Sequence, residues 1–84
     1  MIDTLKACDI IYNMYDKKVY ITNITDVGYG YVFGIIGLNG EEYDVPADIV
    51  NKETGETGVF PFWRHQKELE NGQIIEVPEK YKMP

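Results

Sequence analysis

Two side chains in this sequence belong to the usual nucleophile and soft-metal set, Cys8 and His65, and each type occurs once. A thiol beside an imidazole can attack a carbonyl, but such a pair needs a third group to orient the base, and nothing in the sequence indicates one. A tetrahedral zinc site of nitrogen and sulfur ligands cannot be assembled from one histidine and one cysteine. Carboxylates remain. Glu41, Glu42, Asp44 and Asp48 cluster and could serve a hard cation. Strand alternation, however, sends Glu41 and Glu42 to opposite faces, and the twelve-residue calcium-loop pattern is missing. These acids read as solvated edge charges that oppose edge-to-edge association. The expectation is a protein without metal, cofactor or catalytic residues, and not an enzyme.

Glycines at 28, 30 and 34 resemble a phosphate cradle only superficially, because they join two strands rather than a strand and a helix N-terminus. Binding chemistry is better represented. Residues 60–65, FPFWRH, place three aromatics and an arginine within five positions, with Pro61 stiffening the segment. Trp, Tyr and Arg are the residues that dominate interface hot spots. A structural alternative has Phe60 and Trp63 closing the open end of a barrel. Tyr29, Tyr31 and Phe33 extend the aromatic set, so the candidate binding residues are Tyr29, Tyr31, Phe33, Phe62, Trp63 and Arg64.

The formal net charge of −6 is spread along the chain rather than held in a tail, giving an acidic rim. It disfavours binding to a nucleic-acid backbone and would steer a basic protein partner. The leading expectation is therefore a protein-binding module or inhibitor. Two rivals are sequestration of a nucleotide-like ligand, stacked on aromatic rings with Arg64 or a lysine on its phosphate, and mimicry of nucleic acid by the acidic face. Seven lysines to one arginine, with frequent Ile, Asn and Tyr, suggest a low-GC bacterial or phage source, and hence an accessory protein of a phage or mobile element.

These residues must be positioned by β-structure. Asn39-Gly40, between an apolar β-branched run and an alternating one, predicts a two-residue type I′ hairpin. That register sets Leu38 against Glu41, Ile36 against Tyr43 and Gly34 against Val45. It puts Val32, Ile36, Leu38, Tyr43 and Val45 on the core side, and Tyr31, Phe33 and Ile35 on a mixed side. Gly34 and Gly37 permit bending or close approach of a second backbone. Residues 19–24 and 31–38 read as strands, and a fourth strand ends at Pro46. Residues 47–50 read as one helical turn, 51–58 as a polar loop, 66–72 as one or two helical turns and 73–77 as a last strand.

Residues 1–16 carry both periods. Ile2, Leu5, Cys8, Ile11 or Tyr12, and Tyr15 recur at helical spacing behind Asp3, whereas Cys8, Ile10, Tyr12 and Met14 alternate. The β-branched and tyrosine content of 10–15 favours a strand over residues 9–15 after a short lead. The chain thus reads as one mainly β domain: a lead over 1–7, a body over 8–77 and an exposed tail over 78–84. About five antiparallel strands would form a small barrel or a strongly bent meander. In strand order, residues 8–77 resemble SH3-like small β-barrels, a resemblance that implies a binding module and transfers no site residues. A single cysteine, the absence of a long apolar segment and an acidic N-terminus without an apolar run suggest a reducing cytoplasm.

Overall fold

The computed structural model describes residues 1–41 and 47–84. Helix α1 (Thr4–Met14) precedes strands β1 (Val19–Asp26), β2 (Gly30–Gly37), β3 (Ala47–Asn51) and β4 (Thr57–Phe60). Helix α2 (Gln66–Asn71), strand β5 (Gln73–Ile75) and a 3-10 turn at Glu79–Tyr81 complete the order. The five strands form one antiparallel sheet in the order β4-β3-β2-β1-β5. It is a mainly β fold whose first four strands meander while β5 returns to the far side of β1. The sheet is open, with β4 and β5 at its edges. No helix among the described residues is long and apolar enough to cross a membrane.

The expected strand over 9–15 is replaced by α1. Asp3 caps it by accepting from the Lys6 N–H at 2.9 Å, a contact that satisfies one of the unpaired amides of a first turn. Ala7, Cys8 and Ile11, on one helical face, are fully buried, so tertiary burial decides between the two periods. The helix ends in a Schellman arrangement: the Asp16 N–H donates to Asn13 O and the Lys17 N–H to Tyr12 O, at 3.1 and 2.8 Å. Asp16 and Lys17 both take positive φ, 57° and 62°.

That helix covers the side of β2 expected to be mixed. Tyr31 and Phe33 enter the core with Ile21, Ile24, Val50, Ala7, Cys8 and Ile11, and Ile35 packs against it. Leu38, expected inside, is half exposed, while Val32 is buried as expected. On β1 the inward residues are three apart, Ile21 and Ile24, which strict alternation forbids. A bulge between Ile21 and Asn23 supplies the extra residue and restores phase. Gly34 sits opposite it. A Cβ there would lie 2.8 Å from Thr22 Oγ1 and 2.9 Å from Asn23 Cγ, so glycine lets the Thr22 and Asn23 side chains lie over the bulge as they do.

The Asn39-Gly40 turn exists but is a three-residue loop. The Gly37 N–H donates to Glu41 O at 2.8 Å and the Gly40 N–H to Gly37 O at 3.0 Å. Gly40 has φ of 86° while Asn39 is not in the positive region, as in a type I turn closed by a left-handed glycine. Gly37, not Leu38, therefore faces Glu41. Further along, Phe33 pairs with Asp48, where a two-residue loop would put residue 46. The remaining expected pairs and the strand ending at Pro46 fall on residues 42–46, outside the described residues. Residues 47–50, expected as a helical turn, are strand β3, because Val50 fills the core and Tyr15 O–H donates to Asp48 Oδ2 at 2.6 Å.

The C-terminal segment expected to be exposed instead docks. Tyr81 is 3 % exposed, its O–H donates to Asp9 Oδ1 at 2.7 Å and its ring meets Tyr12 edge-on at 5.3 Å. A large ring with one polar tip is buried at small penalty once that tip has an acceptor.

Candidate functional site

At one end of the sheet three connections converge: the β1–β2 turn, the β3–β4 loop and the α2–β5 junction. The β1–β2 connection is a tight hairpin. The Val27 N–H donates to Gly30 O at 3.0 Å, leaving Gly28 and Tyr29 as a two-residue loop. Gly28 takes φ of 102°, a conformation that glycine adopts without the strain a Cβ would bring. Asp26 supports the turn by accepting from the Gly28 N–H at 2.8 Å through Oδ1. The consequence is that Tyr29 stands at a hairpin tip, 51 % exposed.

The β3–β4 loop carries Lys52 to the same place. Asn51 folds this loop by accepting from the Glu53 and Thr54 N–H groups, and the Lys52 N–H donates to Tyr29 O at 3.0 Å. The Lys52 ammonium then meets Asp26 Oδ2 at 2.7 Å and lies 4.9 Å from the centre of the Tyr31 ring. Both partners of the ion pair are mostly shielded. The Lys52 hydrogen bond, opposed by partial burial and aided by the Gly28 amide, holds the Asp26 carboxyl below its usual range.

Helix α2 brings the third side. Glu68 Oε2 accepts from Tyr29 O–H at 3.0 Å and lies 3.5 Å from His65 Nδ1. His65 in turn stacks at a tilt on the buried Phe60, with ring centres 5.2 Å apart. Burial first, then Glu68, pushes the Tyr29 phenol up. Gly72 lets α2 approach β1, since a Cβ there would lie 2.6 Å from Thr25 Cγ2 and 2.9 Å from Asp26 O.

Two hollows flank Tyr29. The larger, about 590 Å³ and open to solvent, is lined by Asp26, Tyr29, Lys52, Glu68, Asn71 and Gln73 among others. The smaller, about 200 Å³, lies between Tyr29, Ile49, Thr57 and Gly58. Both fall near or within the range of side-chain and small-ligand sites.

The six candidate residues separate into three groups. Phe33 is fully buried and belongs to the core, which removes it from any contact surface. Tyr31 is buried as well and acts from beneath, as the ring under Lys52. Tyr29 is exposed at the tip. Phe62, Trp63 and Arg64 form the turn after β4, closed by Arg64 N–H and His65 N–H bonds to Pro61 O and Phe62 O. Trp63 is 53 % exposed and rests edge-on against Phe62 at 5.3 Å. Phe60 is buried, but Trp63 does not seal a barrel. The contacts Phe60–His65–Glu68–Tyr29 tie this turn to the hairpin tip, a link between the two aromatic groups that the sequence does not show. Asp26, Lys52 and Glu68 carry no sequence signal, because single charged residues so far apart in the chain look like ordinary surface.

Chemistry at other polar groups is limited. Burial first, then Asp9 and Asp3, pushes the Cys8 thiol up to about 11, which leaves it a poor nucleophile. Asp48 serves Tyr15, and Glu41 accepts from Asn39 at 3.0 Å. Among the described residues no three His, Cys, Asp or Glu side chains gather as a metal site would need. Compared with known proteins, the chain matches no family model, and neither a curated protein nor a solved structure is significantly similar to it.

Proposed function

We propose that this protein is a non-enzymatic module that binds a basic protein partner through Tyr29 and the Phe62-Trp63-Arg64 turn. The observation that carries the reading is the exposure of two large aromatics on well-held backbone. Tyr29 is fixed by Glu68 and a tight turn, and Trp63 by a hydrogen-bonded turn on a buried Phe60. Rigid, half-exposed aromatic rings lose little conformational freedom on binding and are the usual centres of interface energy. The net charge of −6 favours a cationic partner and speeds its encounter. The reading also draws on the resemblance in strand order between residues 8–77 and SH3-like small β-barrels, an analogy that favours a binding role. A buried, unpaired Cys8 suits a reducing compartment.

The rival reading, a nucleotide-like ligand, has less support. The lysine beside Tyr29 is committed to Asp26, and Glu68 would face the phosphate.

The test is to recover partners from the source cell by in-cell crosslinking and to measure the affinity of each with purified protein. Trp63→Ala and Arg64→Glu are expected to weaken binding by about 2 kcal/mol, a typical hot-spot loss, with melting temperatures near wild type. A Glu53→Lys control should change little. Normal binding by folded Trp63 and Arg64 variants would sink the proposal.

A further inference from the structure

Resting on that reading, we infer that the larger hollow beside Tyr29 receives a cationic side chain of the partner, arginine by preference. Its charged lining is Asp26, Lys52 and Glu68, two negative groups to one positive. Asp26 is already satisfied, with Oδ2 on the Lys52 ammonium and Oδ1 on the Gly28 amide. Glu68 is not saturated. Its Oε2 takes the Tyr29 hydroxyl and faces His65, while Oε1 lies outside both contacts on a side chain 45 % exposed. The net field in the hollow is therefore that of one carboxylate.

An entering guanidinium finds three complementary features. Glu68 Oε1 can accept a charge-assisted hydrogen bond. Asn71 and Gln73 line the same hollow, and a side-chain amide carries a carbonyl that can accept further N–H groups. The half-exposed Tyr29 ring offers a face for a planar cation. Arginine suits this better than lysine, because its flat fork can stack on the ring and bond sideways together. An anion meets the opposite situation. It would face Glu68 directly and could gain a cation only by drawing Lys52 from Asp26 and from the Tyr31 ring.

The probe is N-acetyl-arginine methylamide, titrated into the ¹⁵N-labelled full chain and followed by amide chemical shifts. Saturable shifts are expected at Gly28, Tyr29, Gly72 and Gln73. The neutral isostere N-acetyl-citrulline methylamide and inorganic phosphate should leave these amides unmoved. Glu68→Gln keeps an acceptor for the Tyr29 hydroxyl, so it should stay folded while weakening the arginine probe about threefold or more, the loss implied by one part-exposed charge pair. Glu53→Gln should not alter it. Equal shifts with citrulline or phosphate, or undiminished binding by a folded Glu68→Gln, would overturn the assignment. No response to the arginine probe, combined with loss of partner binding in Trp63→Ala, overturns the hollow and leaves the parent reading standing. A specific arginine response with partner binding indifferent to Trp63→Ala overturns the parent reading and retains the hollow.

Discussion

Strand β2 ends in two hairpin tips that look alike in sequence and differ in how they are held. At one end, the bonds that hold Leu38-Asn39-Gly40 among the described residues are local, with Asn39 donating to Glu41, two residues away. At the other, Gly28-Tyr29 is braced from residues 52 and 68 as well as by its own Asp26. The Asn-Gly pair is the stronger local signal for a tight hairpin, yet the two-residue loop occurs at Gly28-Tyr29. Turn chemistry selects which bends are allowed. Contacts from distant chain segments decide which bend becomes a fixed platform, and a binding residue is worth placing only on the latter.

The sharpest way to break the contrast is to remove the brace. Lys52→Met leaves Asp26 with its Gly28 bond but without its cation, in a site where both side chains are mostly shielded. The expected loss is about 1–2 kcal/mol by chemical denaturation, the range for one unpaired part-buried charge. The pH dependence follows from the sign of the Asp26 shift. Its carboxyl is lowered in the folded state from 3.8, so the pairing contributes fully above the unfolded value and is lost as pH falls through the folded one. Below about pH 4 wild type should therefore lose stability faster than Lys52→Met, and the gap between them should narrow. Parallel acid limbs would mean that the ion pair does not brace the tip.

Parts of this arrangement were legible in the sequence and parts were not, for identifiable reasons. β1, β2, α2 and β5 follow from apolar alternation, glycine punctuation and a polar helical stretch. α1 was ambiguous because Ile10, Ile11, Tyr12 and Tyr15 favour strand locally, while burial of Ala7, Cys8 and Ile11 favours helix. The hairpin register alone could not show that Tyr31 and Phe33 face the core, since the side covered by α1 becomes the inside. β3 was hidden by its short, mixed sequence ADIVN, and the docking of Tyr81 by its polar neighbours. Tyr29 and Trp63 could be singled out by type. Lys52 and Glu68 could not, because their roles arise from tertiary proximity to Tyr29.

A second, smaller test compares the turn glycines directly. A Cβ at either Gly28 or Gly40 would touch nothing within 4 Å, so substitution probes backbone conformation without a packing change. Gly28 at φ of 102° lies further from the left-handed helical well than Gly40 at 86°. Valine tolerates neither. Gly40→Val is expected to destabilise by about 1 kcal/mol and Gly28→Val by about 1–2 kcal/mol. Asparagine, which enters the left-handed region more readily, should recover more of the loss at 40 than at 28. Equal rescue at the two sites would erase the conformational distinction between the tips.

The finest comparison removes one side-chain hydrogen bond from each tip. Tyr29→Phe deletes the hydroxyl that donates to Glu68 and keeps the ring, whereas Asn39→Ala deletes the amide that donates to Glu41. Both bonds are exposed, so water replaces much of what is lost, and each change should stay below about 1 kcal/mol. They differ in reach. The Tyr29 bond joins positions 39 residues apart, the Asn39 bond positions two apart. Losing the first should loosen α2 against the sheet and quicken amide hydrogen exchange in residues 66–72, while losing the second should be felt only in residues 37–41. If exchange in α2 is unchanged in Tyr29→Phe, the hydroxyl is ornamental, and the stiffness of the tip rests on Lys52 and the Gly28 turn alone.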